Sequence, residues 1–428
     1  MIPVADQTDV LIVGAGASGL MAARELAKAG KKIIILEARD RIGGRIMPLN
    51  EGDFGYPAQG GAEWVHGEAP ISKALIKEAG LTLVPEEGEI WSARNGGLYL
   101  CKSFIQSNPS LKAKLEMLKE DISIADFLEQ NFKDEADSDF KNSILKMVEG
   151  YDAADPKQIS TLTLKQEWLC KSGRNDHRIK EGYGALLNFL EAECKKYGVE
   201  IQLNTRVKAV GLEASCISVL LADGEILKAP KVIITVPLPV LEDIEFNPEL
   251  KEKIQLASKI GFGDAIKLVI KFKTRWWDNV LGKDLSKMAF LLCNEKFLTW
   301  WTQYPEINPV LIGWMAGLEA TKYKEASSEE LLDIAITSLS NVLKIDKDIL
   351  LKQVDIFKVV NWLRDPFSKG AYSYTTFKTE NAYEQLAVPI DNAIFFAGEA
   401  VYSGLATATV EGALGSGIEV AIKILSIK

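Results

Sequence analysis

Histidine is nearly missing from this chain, with only His66 and His177 among its 428 residues. That leaves little material for a histidine-built metal site or a Ser-His-Asp triad, and no metal centre is expected. Cysteine is sparse as well. Cys101, Cys170, Cys194, Cys216 and Cys293 are scattered, odd in number and without a C-x-x-C pair, so reduced thiols in a cytoplasmic setting are expected. No apolar run approaches the roughly 20 residues of a membrane span. The first residues run into a strand without the pattern of a signal peptide. A basic excess is absent too, since 50 Lys and Arg against 59 Asp and Glu leave a net charge of −9. Nucleic acid is therefore not an expected partner. A cationic ligand is compatible with this balance.

What is present is enough apolar material, 47%, for a large core in two or three units. Residues 9–13 and 32–36 read as strands around a helix that Gly30 stops, a βαβ unit. Residues 40–67 are rich in Gly and Arg and read as ordered loop. A helix is expected over 71–79, and helical, charged patterns over 111–150 and 161–197, the latter interrupted at 181–184. Strands are expected at 200–210, 216–221, 231–236 and 393–397, and strands of a second sheet at 265–272 and 289–292. An amphipathic helix over 328–343 and a final helix from about Thr409 complete the pattern.

Gly14, Gly16 and Gly19 match G-x-G-x-x-G between the first strand and helix. Two glycines allow a tight turn and close backbone approach to a pyrophosphate, and the third lets helix and strand pack. Ser18 lies within this turn. The helix start offers free N–H groups to phosphate. Glu37, at the end of the second strand, can accept from a ribose diol and would repel a 2′-phosphate, which disfavours NADP. Two further glycines and three arginines follow at once in Glu37-Ala38-Arg39-Asp40-Arg41-Ile42-Gly43-Gly44-Arg45. The arginines are suited to anion contacts.

That stretch resembles the E-A-x-x-R-x-G-G-R signature of flavin-dependent oxidases and desaturases. Phe395-Phe396-Ala397-Gly398-Glu399 resembles the F-A-G-E motif of the same superfamily, whose Glu meets the ribityl chain. Thr409 and Val410 open the helix whose N–H groups face the flavin ring there. The implied fold is α/β, with a discontinuous Rossmann-like FAD-binding domain and an inserted α+β substrate domain. Its expected pieces are 1–75, 200–262 and 375–428 for FAD, and 76–199 and 263–374 for substrate, with a helical insert over about 103–199. Val207 is an expected cofactor contact.

The whole chain is similar to the flavin-containing amine oxidases, a family of monoamine oxidases, polyamine oxidases and lysine-specific demethylases. Gly61-Ala62-Glu63-Trp64-Val65-His66-Gly67 looks like the polyamine-oxidase segment whose His lines the substrate channel. Lys267, after Gly261, resembles the lysine that holds a water at flavin N5. Trp362 and Gly370-Ala371-Tyr372-Ser373-Tyr374 resemble the segment supplying an aromatic wall, Tyr372, beside the flavin. Thr409 stands where monoamine oxidases carry a second wall tyrosine, so a full cage is in doubt. Covalent attachment in this family needs a cysteine at the position of Ala371, which implies non-covalent FAD. No Arg follows Glu63 until Arg94, so a carboxylate substrate is not expected.

The resemblance implies hydride loss from the carbon next to an amine nitrogen, with O2 reduced to H2O2 and the imine hydrolysed. The substrate would be a polyamine or a primary monoamine. Lys267, Tyr372, Thr409 and His66 are the implied catalytic residues, and Glu63, Trp64 and Tyr374 the substrate contacts. Gly61, Ala62, Glu63 and Trp362 join the cofactor contacts. Asp152, Asp155, Glu86, Glu87 and Glu89 are candidates to meet the further charges of a polyamine. Three alternatives stay open: a desaturase or porphyrinogen-type oxidase, a demethylase-type scaffold, and a flavin-binding protein without turnover.

Overall fold

A computed structural model describes residues 8–94, 96–101, 108–169, 175–214, 216–404 and 406–427. Five strands form a parallel sheet in the order Ile394–Phe396, Lys231–Ile234, Val10–Val13, Ile33–Leu36, Glu200–Gln202. Its central strands are apolar on both faces, as a doubly covered parallel sheet requires. Alternation sends Val10 and Ile12 toward the helices Ala17–Lys28, Gly182–Lys196 and Val410–Ser426. Leu11 and Val13 point the other way, into a core shared with the four-stranded sheet that contains Val207–Leu212. Sequence alone placed residues 182–196 with the second unit. Leu186, Leu187 and Leu190 pack that helix on the first.

The second unit holds a seven-stranded sheet, mostly antiparallel, with Ala265–Phe272 between Val354–Asn361 and Val310–Ala316. Ile266, Leu268, Ile270 and Phe272 face the amphipathic helix Ser328–Leu343. The period of two then turns Lys267 and Val269 to the opposite face. The helices Pro109–Met117, Ile124–Asn131, Ser138–Tyr151 and Thr161–Leu169 enclose a separate small core.

Three local expectations change. Residues 177–179, expected to be helical, form the strand His177–Ile179 between Trp64–Val65 and Leu83–Pro85. Pairing with two distant segments overrides local pattern there. Residues 200–210 form two strands in different sheets, because Asn204 takes a left-handed conformation (φ 55°) and turns the chain. Within the expected loop, Asn50 caps the one-turn helix Glu51–Phe54 and Gly55 ends it. Cys101, Cys194, Cys216 and Cys293 are free thiols, as expected, while Cys170 lies outside the described residues.

Lys253 shows how one buried cation closes a helix end. Its Nζ donates to the carbonyls of Gln385 (2.6 Å), Leu386 (3.1 Å) and Val388 (2.6 Å), at the end of the helix Ala382–Leu386. The Val388 N–H also reaches the Gln385 carbonyl (3.3 Å), whereas the Leu386 carbonyl, at the helix end, has no later turn to bond. Lys253→Met is expected to lower stability by about 2 kcal/mol, read as a lower urea midpoint. An unchanged midpoint would show that water serves those carbonyls equally well.

Candidate active site

The two N-terminal glycine motifs are folded against each other. Gly14 turns at φ +108°, and Gly16 forms an isolated parallel bridge with Gly43. The Gly43 N–H donates to the Ala15 carbonyl (2.8 Å). The carboxylate of Glu37 accepts from the N–H groups of Ala15 (2.7 Å) and Arg39 (2.9 Å). Helix Ala17–Lys28 begins at Gly16 without a side-chain cap, so its first N–H groups face outward.

A cavity of about 2740 Å³ opens from this turn, well beyond a drug-sized pocket. Of the expected flavin-binding and catalytic residues, all but Gly19 line it. Gly19 is a packing position, since a Cβ there would lie 2.0 Å from the Gly14 carbonyl oxygen. Gly16 is the opposite case. A Cβ on it would meet no protein atom within 4 Å and would project into the cavity. The space in front of Gly16 is thus kept clear for a ligand, which fits a dinucleotide held against backbone N–H groups.

The three arginines do not all await an anion. Arg41 donates to the carbonyls of Ile42, Gly44 and Ile46 and fastens its own loop. Arg39 binds Asp365 and Ser368. Arg45 donates to the Ala371 carbonyl (2.8 Å) and to Glu399 (2.7 Å), whose other oxygen accepts from Ser373 Oγ (2.6 Å). One buried carboxylate therefore joins three motifs far apart in sequence. Ser18 Oγ meets Ser416 Oγ (3.2 Å), which accepts from the Gly398 N–H (2.6 Å).

Thr409 is the N-cap of the helix Val410–Ser426. Its hydroxyl accepts from the Gly412 N–H (3.1 Å) and donates to the Ala406 carbonyl (2.6 Å). Thr409 thus caps the helix and also lines the cavity. Trp362 donates its indole N–H to the Gly60 carbonyl (3.3 Å) and is buried beside Gly61. Tyr374 lies flat over Gly261, where a Cβ would come within 2.2 Å of its ring.

On Ala265–Phe272, Lys267 is 1% exposed and bonds to Glu63, which is 8% exposed. Glu63 lines the cavity, and its carboxylate accepts from Lys267, Trp301 and Gln303. Lys267, Arg178 and Gln303 hold its carboxyl below its ordinary range against the opposing effect of burial.

Another part of the cavity wall carries Tyr372, Tyr151, His66, Asp152 and Glu167. Tyr372 donates its hydroxyl to the Tyr151 carbonyl (2.7 Å). His66 packs edge-on to the Tyr151 ring and lies 3.3 Å from Asp176 through Nδ1. Burial, reinforced by Glu167, pushes the Asp152 carboxyl well up. Glu167 is solvent-exposed along the cavity, and its recessed setting raises its carboxyl, with His66 opposing and Asp176 adding. Asp155, Glu86, Glu87 and Glu89 do not line this cavity. Asp155 instead accepts from the Lys157 N–H and Gln158, and Glu89 from Trp91.

A sequence profile described as flavin containing amine oxidoreductase matches residues 17–97 and 97–425. The chain belongs to that family. This amine oxidoreductase is 29% identical to polyamine oxidase 4 of Oryza sativa subsp. japonica, over 97% of this chain and 88% of the relative. It is 27% identical to human lysine-specific histone demethylase 2, over 97% of this chain and 53% of the relative. The fold matches putrescine oxidase bound to putrescine at a TM-score of 0.81 and 20% identity, covering 98% and 99% of the two chains. It also matches cyclohexylamine oxidase from Brevibacterium oxydans IH-35A at 0.80 and 19%, covering 98% of each. The expected fold class and a flavin-dependent amine oxidase activity therefore stand.

Sequence reasoning missed Glu167, Asp176, Arg178, Trp301 and Gln303. None belongs to a local motif, and each joins the site only through tertiary contacts.

Proposed function

We propose that this amine oxidoreductase is a cytoplasmic oxidase of di- or polyamines that holds FAD non-covalently and uses O2, releasing H2O2. The observation that carries the polyamine reading is the pair Asp152 and Glu167 in the wall that also carries Tyr372 and His66. A bound flavin supplies acceptance of a hydride from the carbon next to the amine nitrogen and its transfer onward to O2. The chain's own residues do the rest. Tyr372 and Tyr151 present apolar ring surface that favours the neutral amine by desolvation and limits its orientations. His66, held by Asp176, offers a polar contact at the same wall. A second ammonium of the substrate would compensate the two carboxyls that their recessed setting leaves reluctant to ionise. The names of the relatives, polyamine oxidase and putrescine oxidase, support this choice over a monoamine. Ala371 in place of a cysteine supports non-covalent FAD. The free thiols support a reducing compartment. Among the described residues no helix is long and apolar enough to cross a membrane.

The test is reconstitution with FAD, anaerobic mixing with a panel of amines, and peroxide assay in air. Bleaching by diamines or polyamines is expected, and no bleaching with any amine would overturn the reading. The raised carboxyls add a pH dependence. They are neutral at low pH and bind a cation only once ionised. KM for a diamine should therefore fall as pH rises above the ordinary carboxylate range, until the substrate's own ammonium begins to titrate. A diamine KM that runs parallel to that of a monoamine of equal length would remove the pair from the binding site.

A further inference from the structure

Three charged side chains meet behind the cavity wall. Lys267 Nζ donates to Glu63 Oε2 (2.7 Å) and to the Gly61 carbonyl (3.1 Å). Trp301 donates to the same oxygen (3.2 Å), and Gln303 to Oε1 (3.0 Å). Arg178 lies 3.8 Å from Oε1 and lays its guanidinium over the Trp64 ring at 4.4 Å. Arg178 also donates to Gln303 Oε1 (2.7 Å) and to the carbonyls of Thr302 (3.2 Å) and Tyr304 (2.7 Å). Two buried cations thus share one carboxylate.

We infer that Glu63 is a positioning residue for Lys267: it keeps the ammonium charged and aims its one uncommitted N–H into the cavity. Glu63 and the Gly61 carbonyl take two of the three N–H groups, and a primary ammonium has only three. Lys267 lines the cavity, with its Nζ 5.2 Å from the Trp301 ring centre, so the third N–H is the one left for a group bound there. Arg178 has two carbonyls and Gln303 as further partners, so it survives loss of the carboxylate better than Lys267 does. Burial acts to lower the Lys267 ammonium, and Glu63 is the group that opposes it. Tyr56 also feels Glu63, and Glu86 and Glu306 face Arg178.

The charge count makes the inference testable apart from catalysis. Removing Lys267 leaves one cation and one anion, whereas removing the Glu63 charge leaves two facing cations. The inference rests on the proposed amine oxidation only for its kinetic arm. Glu63→Gln, Lys267→Met and the double variant are compared with the parent. In flavin-free protein, Glu63→Gln should lower the melting temperature more than Lys267→Met, and the double variant should recover part of that loss. Should Glu63→Gln alone fail to fold, folding of the double variant is the same result. In the FAD-loaded enzyme, stopped-flow re-oxidation by O2 should slow about 100-fold in Lys267→Met and about 10-fold in Glu63→Gln. The Glu63→Gln profile should also break at lower pH than the parent. The double variant should be no slower than Lys267→Met, because Glu63 acts through that lysine. Effects that multiply, or a double variant less stable than Glu63→Gln, would overturn the inference. Recovered stability with unchanged re-oxidation in Lys267→Met would leave the positioning intact and refute the part given to Lys267 in turnover.

Discussion

Gly19→Ala is expected to purify without flavin. The new Cβ would lie 2.0 Å from the Gly14 carbonyl oxygen and 3.3 Å from Thr235 Oγ1. Neither neighbour can give way easily, because the Thr235 hydroxyl donates to the carbonyls of Val13 (2.8 Å) and Gly14 (3.2 Å). The start of helix Ala17–Lys28 must shift away from the strand, and its free N–H groups go with it. Flavin affinity should fall at least 100-fold, about 3 kcal/mol, and the apoprotein should melt earlier as well. Gly16→Ala separates the two causes. Its Cβ meets no protein atom within 4 Å and its φ of −73° suits alanine, so the apoprotein should melt close to the parent. Flavin affinity should nevertheless drop, because the methyl group occupies the ligand's space. Equal melting losses for the two variants would refute the division into a packing glycine and a ligand-facing one.

The second large effect is expected from Asp152→Asn combined with Glu167→Gln. Both carboxyls line the cavity, and among the described residues burial and Glu167 both act to raise Asp152. With amides in their place, a substrate's second ammonium would be desolvated without an opposing charge. Charge contacts at half-buried and exposed positions contribute about 1 kcal/mol each, so kcat/KM for a diamine should fall roughly 10- to 30-fold. A monoamine of similar length never had that contact and should stay within a few-fold of its parent value. Selectivity is the informative quantity, since it is a difference of two affinities. Equal losses for both substrates would mean that the pair supports the fold of the wall and leaves recognition to other groups.

The dinucleotide turn was legible in the sequence because its chemistry is local. Glycines that turn, a helix start and an acid at the next strand end sit within one βαβ unit, and the backbone obeys them. Lys267 was legible for a related reason, since alternation along Ala265–Phe272 dictates its face. The hydrogen-bond partners of Glu63 and Thr409 were not legible, because tertiary contacts set them. Glu63 takes its partners from three other strands or loops, and Thr409 satisfies a helix end that the sequence pattern located only approximately. Residues 177–179 carry no strand pattern of their own, and only pairing with Trp64–Val65 and Leu83–Pro85 makes them one. Arg178 entered the site by the same route.

The fastening of Arg45 to Glu399, and of Glu399 to Ser373, has a consequence for how the protein is made. The edge strand Ile394–Phe396 and the helix Val410–Ser426 complete a layer whose first strand is Val10–Val13. During synthesis at about 5–20 residues per second, that first strand waits some tens of seconds for its last neighbours. Until they leave the ribosome, Arg45 lacks its carboxylate and the cradle lacks a wall. Flavin capture is thereby a late event in the synthesis of each chain, since Glu399 follows Arg45 by 354 residues.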